Sequence, residues 1–114
     1  MSDSTVDLYE LVGENLTYNI EDFNNNTISR VFSSQDTNDK LPDAEKFIDL
    51  FKEKETKQVY EFSIMNSSNG ILLLNPGQNM IFRDNIYILA AQEKKEFIAC
   101  IFISNPAIIG IVAK

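Results

Sequence analysis

Apolar residues come in short runs in this chain, separated by polar, turn-forming stretches. Ile71–Leu74 is four consecutive large apolar residues, and Ile86–Ala91 is a β-branched, aromatic and aliphatic run, apolar at both parities. Strands of this kind seek cover on both faces. After the first, Asn75-Pro76-Gly77-Gln78 fits a type II turn: proline presets φ at the second position and Gly77 supplies the positive φ required at the third. Met80-Ile81-Phe82 then reads as a short strand, and Arg83-Asp84-Asn85 as a reversal into Ile86. Strand, turn, short strand, turn, strand is the unit predicted for residues 71–91.

The flanking pattern extends this unit. From Gln58 to Met65, Tyr60, Phe62 and Ile64 share one parity, a strand with one wet face. The turn Asn66–Gly70 leads directly into Ile71, which predicts an antiparallel hairpin. A helix is predicted over Pro42–Lys54, with Pro42 in its first turn, Asp43 and Glu45 at its positive end, and Ala44, Phe47, Ile48 and Phe51 on one apolar face. Near the start, Ser4-Thr5-Val6-Asp7 is placed to cap a short helix with Val6, Leu8, Leu11 and Val12 as its stripe and Gly13 as its stop. Leu16–Ile20 alternates as a half-buried strand.

Residues 24–40 read as a polar loop or insertion, with a turn of helix or a short strand at Thr27–Phe32. Phe97 to Ala113 holds no charge over 17 residues, but Asn105-Pro106 interrupts it. Two buried strands, or a helix then a strand, fit better than a membrane span. The expected fold is α+β, a single domain over 1–114: a mainly antiparallel sheet of about five strands with one principal helix on a face.

Charge changes the picture of partners. Residues 1–56 carry 13 acidic against 5 basic residues, a net of −8, and residues 57–114 carry 4 against 5, a net of +1. So acidic a first half argues against nucleic-acid backbone binding, which needs clustered Lys and Arg. It suits a cation or a basic protein partner. A small acidic protein that binds and blocks a basic partner, of inhibitor or immunity type, is therefore one functional reading.

Candidate chemistry is sparse. Histidine is absent, so the common zinc and copper ligand sets cannot be built, and the single Cys100 forms no internal disulfide. Cys100 lies in an apolar run and reads as a core residue, not a nucleophile. No glycine spacing cradles phosphate. An enzyme is not expected. The hard oxygen donors Asp36, Asn38, Asp39 and Asp43 form the one candidate metal cluster, with calcium as the only cofactor they suit, although Lys40 stands where an EF-hand loop places a ligand.

The stretch ILLLNPGQNMIFRDNIYILAAQEKKEFIACIF, from Ile71 to Phe102, resembles the C-terminal lobe of the RCK (regulator of potassium conductance) domain of Slo-type calcium- and sodium-activated potassium channels. The likeness lies in the apolar strand running into Asn75-Pro76-Gly77, the strand Ile86–Ala91, the charged turn Glu93-Lys94-Lys95-Glu96 and the aromatic Phe97. Leu11–Tyr18 is a weaker upstream match. The resemblance implies a non-catalytic cytosolic lobe of a channel gating apparatus, partnered with itself or with other lobes and not inserted in the membrane. Its location would be cytoplasmic, as the intracellular part of a membrane channel. Phe47, Phe51, Ile108, Ile109 and Ile111 are the residues expected to form its apolar interface.

Overall fold

The computed structural model describes residues 8–24, 27–53, 59–83, 87–102 and 108–114. The chain enters with β1 (Leu8–Val12), a 3-10 turn (Ile20–Asn24), β2 (Thr27–Val31) and β3 (Asp36–Lys40). The one α-helix among the described residues, α1 (Ala44–Glu53), is followed by β4 (Val59–Asn66), β5 (Ile71–Asn75), β6 (Met80–Phe82), β7 (Tyr87–Leu89), β8 (Lys94–Phe102) and β9 (Ile108–Ala113). The result is a mostly β, α+β-like domain.

Two sheets share these strands. The larger has the order β1-β2-β4-β8-β9-β6 and the smaller β3-β5-β7. Both are mixed. β1, β2 and β4 run parallel, β8 is antiparallel to β4 and to β9, and β6 is parallel to β9; in the small sheet β3 is parallel and β7 antiparallel to β5.

The core lies between the inner faces. Leu74 and Tyr87 of the small sheet meet Phe62, Phe82, Phe97 and Ile111 of the large one, with no room for a water between them. One connected set of rings runs through this layer. Tyr18 packs on Phe23, Phe23 on both Phe47 of α1 and Phe62 of β4 (5.0 Å in each case), Phe62 on Phe97, Phe97 on Tyr87 and Tyr87 on Phe82. Tilted, edge-on and stacked ring pairs of this kind add about 0.5–1.5 kcal/mol each beyond the area they bury. The helix and the 3-10 turn thus close the part of the large sheet that the small sheet leaves open.

Much of the local pattern is recovered. β4, β5, β6, β7 and α1 fall within two or three residues of their predicted bounds, and the 97–113 region supplies two strands, β8 and β9. The larger relationships differ. The sheets are mixed and not mainly antiparallel. β4 and β5 are no hairpin: the turn at 66–70 carries the chain from one sheet to the other, so each strand finds partners elsewhere. Neither β5 nor β7 is covered on both faces, since Ile71 and Ile88 are about half exposed, at 47% and 53%.

At the N-terminal end, Leu8–Val12 is a strand and not a helix, because β2 offers it a ladder. The expected caps at Ser4–Asp7 lie outside the described residues, as do the reversal at Asp84-Asn85 and the break at Asn105-Pro106. Leu16–Ile20 is no strand, and only Thr17 bridges to Lys40. Within the polar stretch 24–40, β2 takes the place of the short strand offered at Thr27–Phe32, whereas β3 was not anticipated. The turn after β5 also differs: Asn79, at φ 61°, takes the positive φ assigned to Gly77. A turn bond from the Met80 N–H to the Gly77 carbonyl fixes it there.

Candidate functional site

The large sheet buries a charge. Ile28 and Arg30 of β2 and Phe32 just after it share the inner parity, so Arg30 points into the core with no exposed surface. On β3 the same alternation turns Thr37 and Asp39 inward while Asp36, Asn38 and Lys40 face solvent. Arg30 and Asp39 meet in a two-point ion pair, Nε to Oδ2 and Nη2 to Oδ1, the latter at 3.0 Å.

Every donor of the guanidinium is used. Besides the two bonds to Asp39, Nη1 donates to the Leu11 carbonyl at 2.6 Å and to the Val31 carbonyl, and Nη2 donates to the Gly13 carbonyl at 2.7 Å. Five N–H groups are all that an arginine has. The Asp39 carboxylate is equally committed: Oδ2 also accepts from the Tyr18 hydroxyl at 2.6 Å, and Oδ1 from the Leu16 N–H and the Thr37 hydroxyl, each at 3.1 Å. Burial, followed by the charge of Asp39 and the hydrogen bond to it, holds the Tyr18 phenol well above its ordinary value of 10.0. Burial alone would make the Arg30 guanidinium easier to deprotonate, but the hydrogen bond to Asp39, with the charges of Tyr18 and Asp39, holds its value above that of a free guanidinium. A cluster satisfied in this way positions strands. It leaves no lone pair or proton for a substrate.

This geometry separates the proposed calcium ligands. Asp36 and Asn38 sit on the outer face of β3, and Asp39 turns inward to Arg30. Asp43 accepts from the Gln78 N–H at 2.8 Å, tying the start of α1 to the turn before β6. Alternation along a strand makes convergence of Asp36, Asn38 and Asp39 on one ion geometrically unfavourable. Among the described residues no group of three or more Cys, Asp or Glu side chains is placed to hold a metal.

The expected interface residues are also redistributed. Phe47, Ile109 and Ile111 are fully buried and belong to the core, and Ile108 is half-buried. The Phe51 side chain lies outside the described residues. Cys100 is half-buried, not a core residue.

Among the described residues, two further surfaces stand beside the half-exposed Ile71 and Ile88 of the small sheet. One is a cleft of about 390 Å³ between residues 17–21 and the start of α1, where Lys40 and Lys46 are matched by Glu21 and Asp43. The other is the outer face of the large sheet. Strand register aligns Val59, Cys100, Gly110 and Ile81 in one row across β4, β8, β9 and β6, with Ile98 and Val112 beside it in the next. Ile81 is 56% and Val59 45% exposed.

The outer apolar row was legible in no single segment, because it exists only once register is set. Arg30 did leave a signal, in its parity with Ile28 and Phe32. Among the described residues no helix is long and apolar enough to cross a membrane. Comparison with protein-family models, with curated proteins and with solved structures found no match for this chain.

Proposed function

We propose that this chain is a non-catalytic regulatory or assembly lobe that works by contact with protein. The observation that carries this reading is the apolar row on the outer face of the large sheet, set against an interior ion pair whose donors and acceptors are all consumed. A lobe of a potassium channel gating apparatus is the specific form of the reading, and it rests on the resemblance of Ile71–Phe102. In that role the domain would bias a gate through contacts that differ between two states, since a ligand or partner shifts an equilibrium only by its differential affinity for the two.

A second reading has its own observation. Glu10, Glu14, Glu21, Asp36, Glu45 and Asp49 are all exposed in the first half of the chain, as an acidic blocker of a basic protein requires. Sedimentation of the purified chain from low to high salt separates the two. Association that persists in high salt supports the assembly lobe, because apolar contact is not screened. A monomer that captures basic proteins only at low salt would replace that reading with the blocker.

A further inference from the structure

The passage between the two sheets holds two asparagines in opposite circumstances. The Asn66 side chain is buried and its amide donates to the carbonyls of Gly70, Leu89 and Ala90, whereas Asn69 is exposed. We propose that Asn69 is a site of spontaneous covalent modification, losing its side-chain amide by cyclisation onto the Gly70 nitrogen.

Asparagine is among the thermolabile residues, and its conversion needs few groups. The main-chain nitrogen of the following residue gives up its proton and attacks the side-chain carbonyl carbon. The new C–N bond closes a succinimide ring, and the side-chain nitrogen leaves as ammonia. Water then opens the ring. Cleavage of the bond from the side-chain carbonyl to nitrogen gives aspartate. Cleavage of the bond from the main-chain carbonyl to nitrogen gives isoaspartate, in which the chain runs on through the side-chain carbons. Water is the only co-reactant.

Asn69 meets these needs. Among the described residues no hydrogen bond holds its amide or the Gly70 N–H, and Gly70 has no side chain to shield its nitrogen. Other asparagines differ at this point. After Asn15, the Leu16 N–H donates to Asp39 at 3.1 Å. After Asn66, the Ser67 N–H donates to the Arg30 carbonyl at 2.9 Å, and after Asn79 the Met80 N–H donates to that of Gly77 at 3.2 Å. Asn75 precedes Pro76, which has no N–H. Asn19 precedes Ile20, whose β-branched side chain crowds the reacting nitrogen.

The product would be felt where it forms. A Cβ on Gly70 would collide with the Gln35 carbonyl oxygen and lie 2.7 Å from that of Ser34, and the adjoining Ile71 N–H donates to the Gln35 carbonyl at 3.0 Å. An isoaspartyl linkage adds one carbon to the main chain immediately before Gly70. A passage packed this closely takes it up only by shifting, at a cost of the kind overpacking brings. Conversion of Asn69 to isoaspartate thus loosens the joint between β4 and β5, while aspartate at this exposed position alters only the charge.

The test incubates the purified full chain in neutral and in mildly alkaline buffer and follows amide loss by peptide mass spectrometry with fragmentation. Asn69 should convert several-fold faster than Asn15, Asn19, Asn66, Asn75 or Asn79, and faster still in the alkaline buffer. Enzymatic methylation should detect isoaspartate, and the isoaspartyl fraction should melt below the fresh protein. In urea, which frees the Leu16 and Ser67 N–H groups, Asn15 and Asn66 should begin to convert as well. Asn69→Gln, whose longer side chain closes a ring far more slowly, should stay unmodified and keep its melting temperature through the same incubation. Asn69 intact after incubation, or converted no sooner than those other asparagines, would overturn the site. Isoaspartate at position 69 with an unchanged melting temperature would overturn the loosening.

Discussion

Arg30 and Asp39 face each other across the seam between the two sheets, one from β2 and one from β3, both without exposed surface. Through Leu11, Gly13, Leu16, Tyr18 and Thr37 the same pair gathers β1, the segment after it and β3. Removing Asp39 strands a guanidinium in the core, and losses of this kind cost about 3–5 kcal/mol. Asp39→Ala should lower stability by that amount in urea unfolding, and Arg30→Met/Asp39→Leu should recover part of it, because no charge is then left unpaired.

Tyr18 links stability to alkaline pH. Its folded-state value lies well above the ordinary 10.0, so below about pH 10 its contribution is complete, and it is lost as pH rises from the unfolded value toward the folded one. Tyr60, raised by burial, acts in the same direction. Melting temperature should decline above about pH 10, less steeply in Tyr18→Phe. At neutral pH that variant should lose about 1.5–3 kcal/mol with its hydrogen bond to a carboxylate.

Gly77 is required for close approach, not for turn geometry. A Cβ there would collide with the Pro42 carbonyl oxygen and lie 2.7 Å from that of Leu41. Gly77→Ala should cost about 1–3 kcal/mol by urea unfolding, as overpacking does, with the start of α1 displaced. By contrast Asn79→Gly, at a residue with φ 61°, should be neutral or mildly stabilising.

Asn66 secures the passage from one sheet to the other. Its buried side-chain amide donates to the carbonyls of Gly70, Leu89 and Ala90, and its oxygen accepts from the Ser68 N–H. Asn66→Asp sets an acceptor against those three carbonyls. It should be destabilised by at least ~2 kcal/mol at neutral pH and partly restored in acid, where protonation returns a donor. Thermal melts at both pH values decide the point.

Calcium offers a direct check on the acidic cluster. With Asp39 engaged by Arg30 and Asp43 by the Gln78 N–H, millimolar calcium should leave the melting temperature unchanged. A rise with concentration of the kind mass action demands would restore the site.

What the sequence determined by itself was local. Alternation located β4, the Asn75–Gln78 stretch ended β5, and helical spacing with Pro42 and Asp43 located α1, because each of these depends on neighbours a few residues away. The polar strand Asp36–Lys40 had no such signature. It is a strand because β5 lies alongside it and Arg30 awaits Asp39. Likewise Leu8–Val12 has the residues of a short helix, but β2 offered it a parallel ladder, and tertiary pairing overrides a weak local preference. Which strands neighbour one another, which face of β5 and β7 stays exposed, and the alignment of Val59, Cys100, Gly110 and Ile81 were decided only by the assembled sheets. Register is a relation between distant segments, and no stretch of sequence contains it alone.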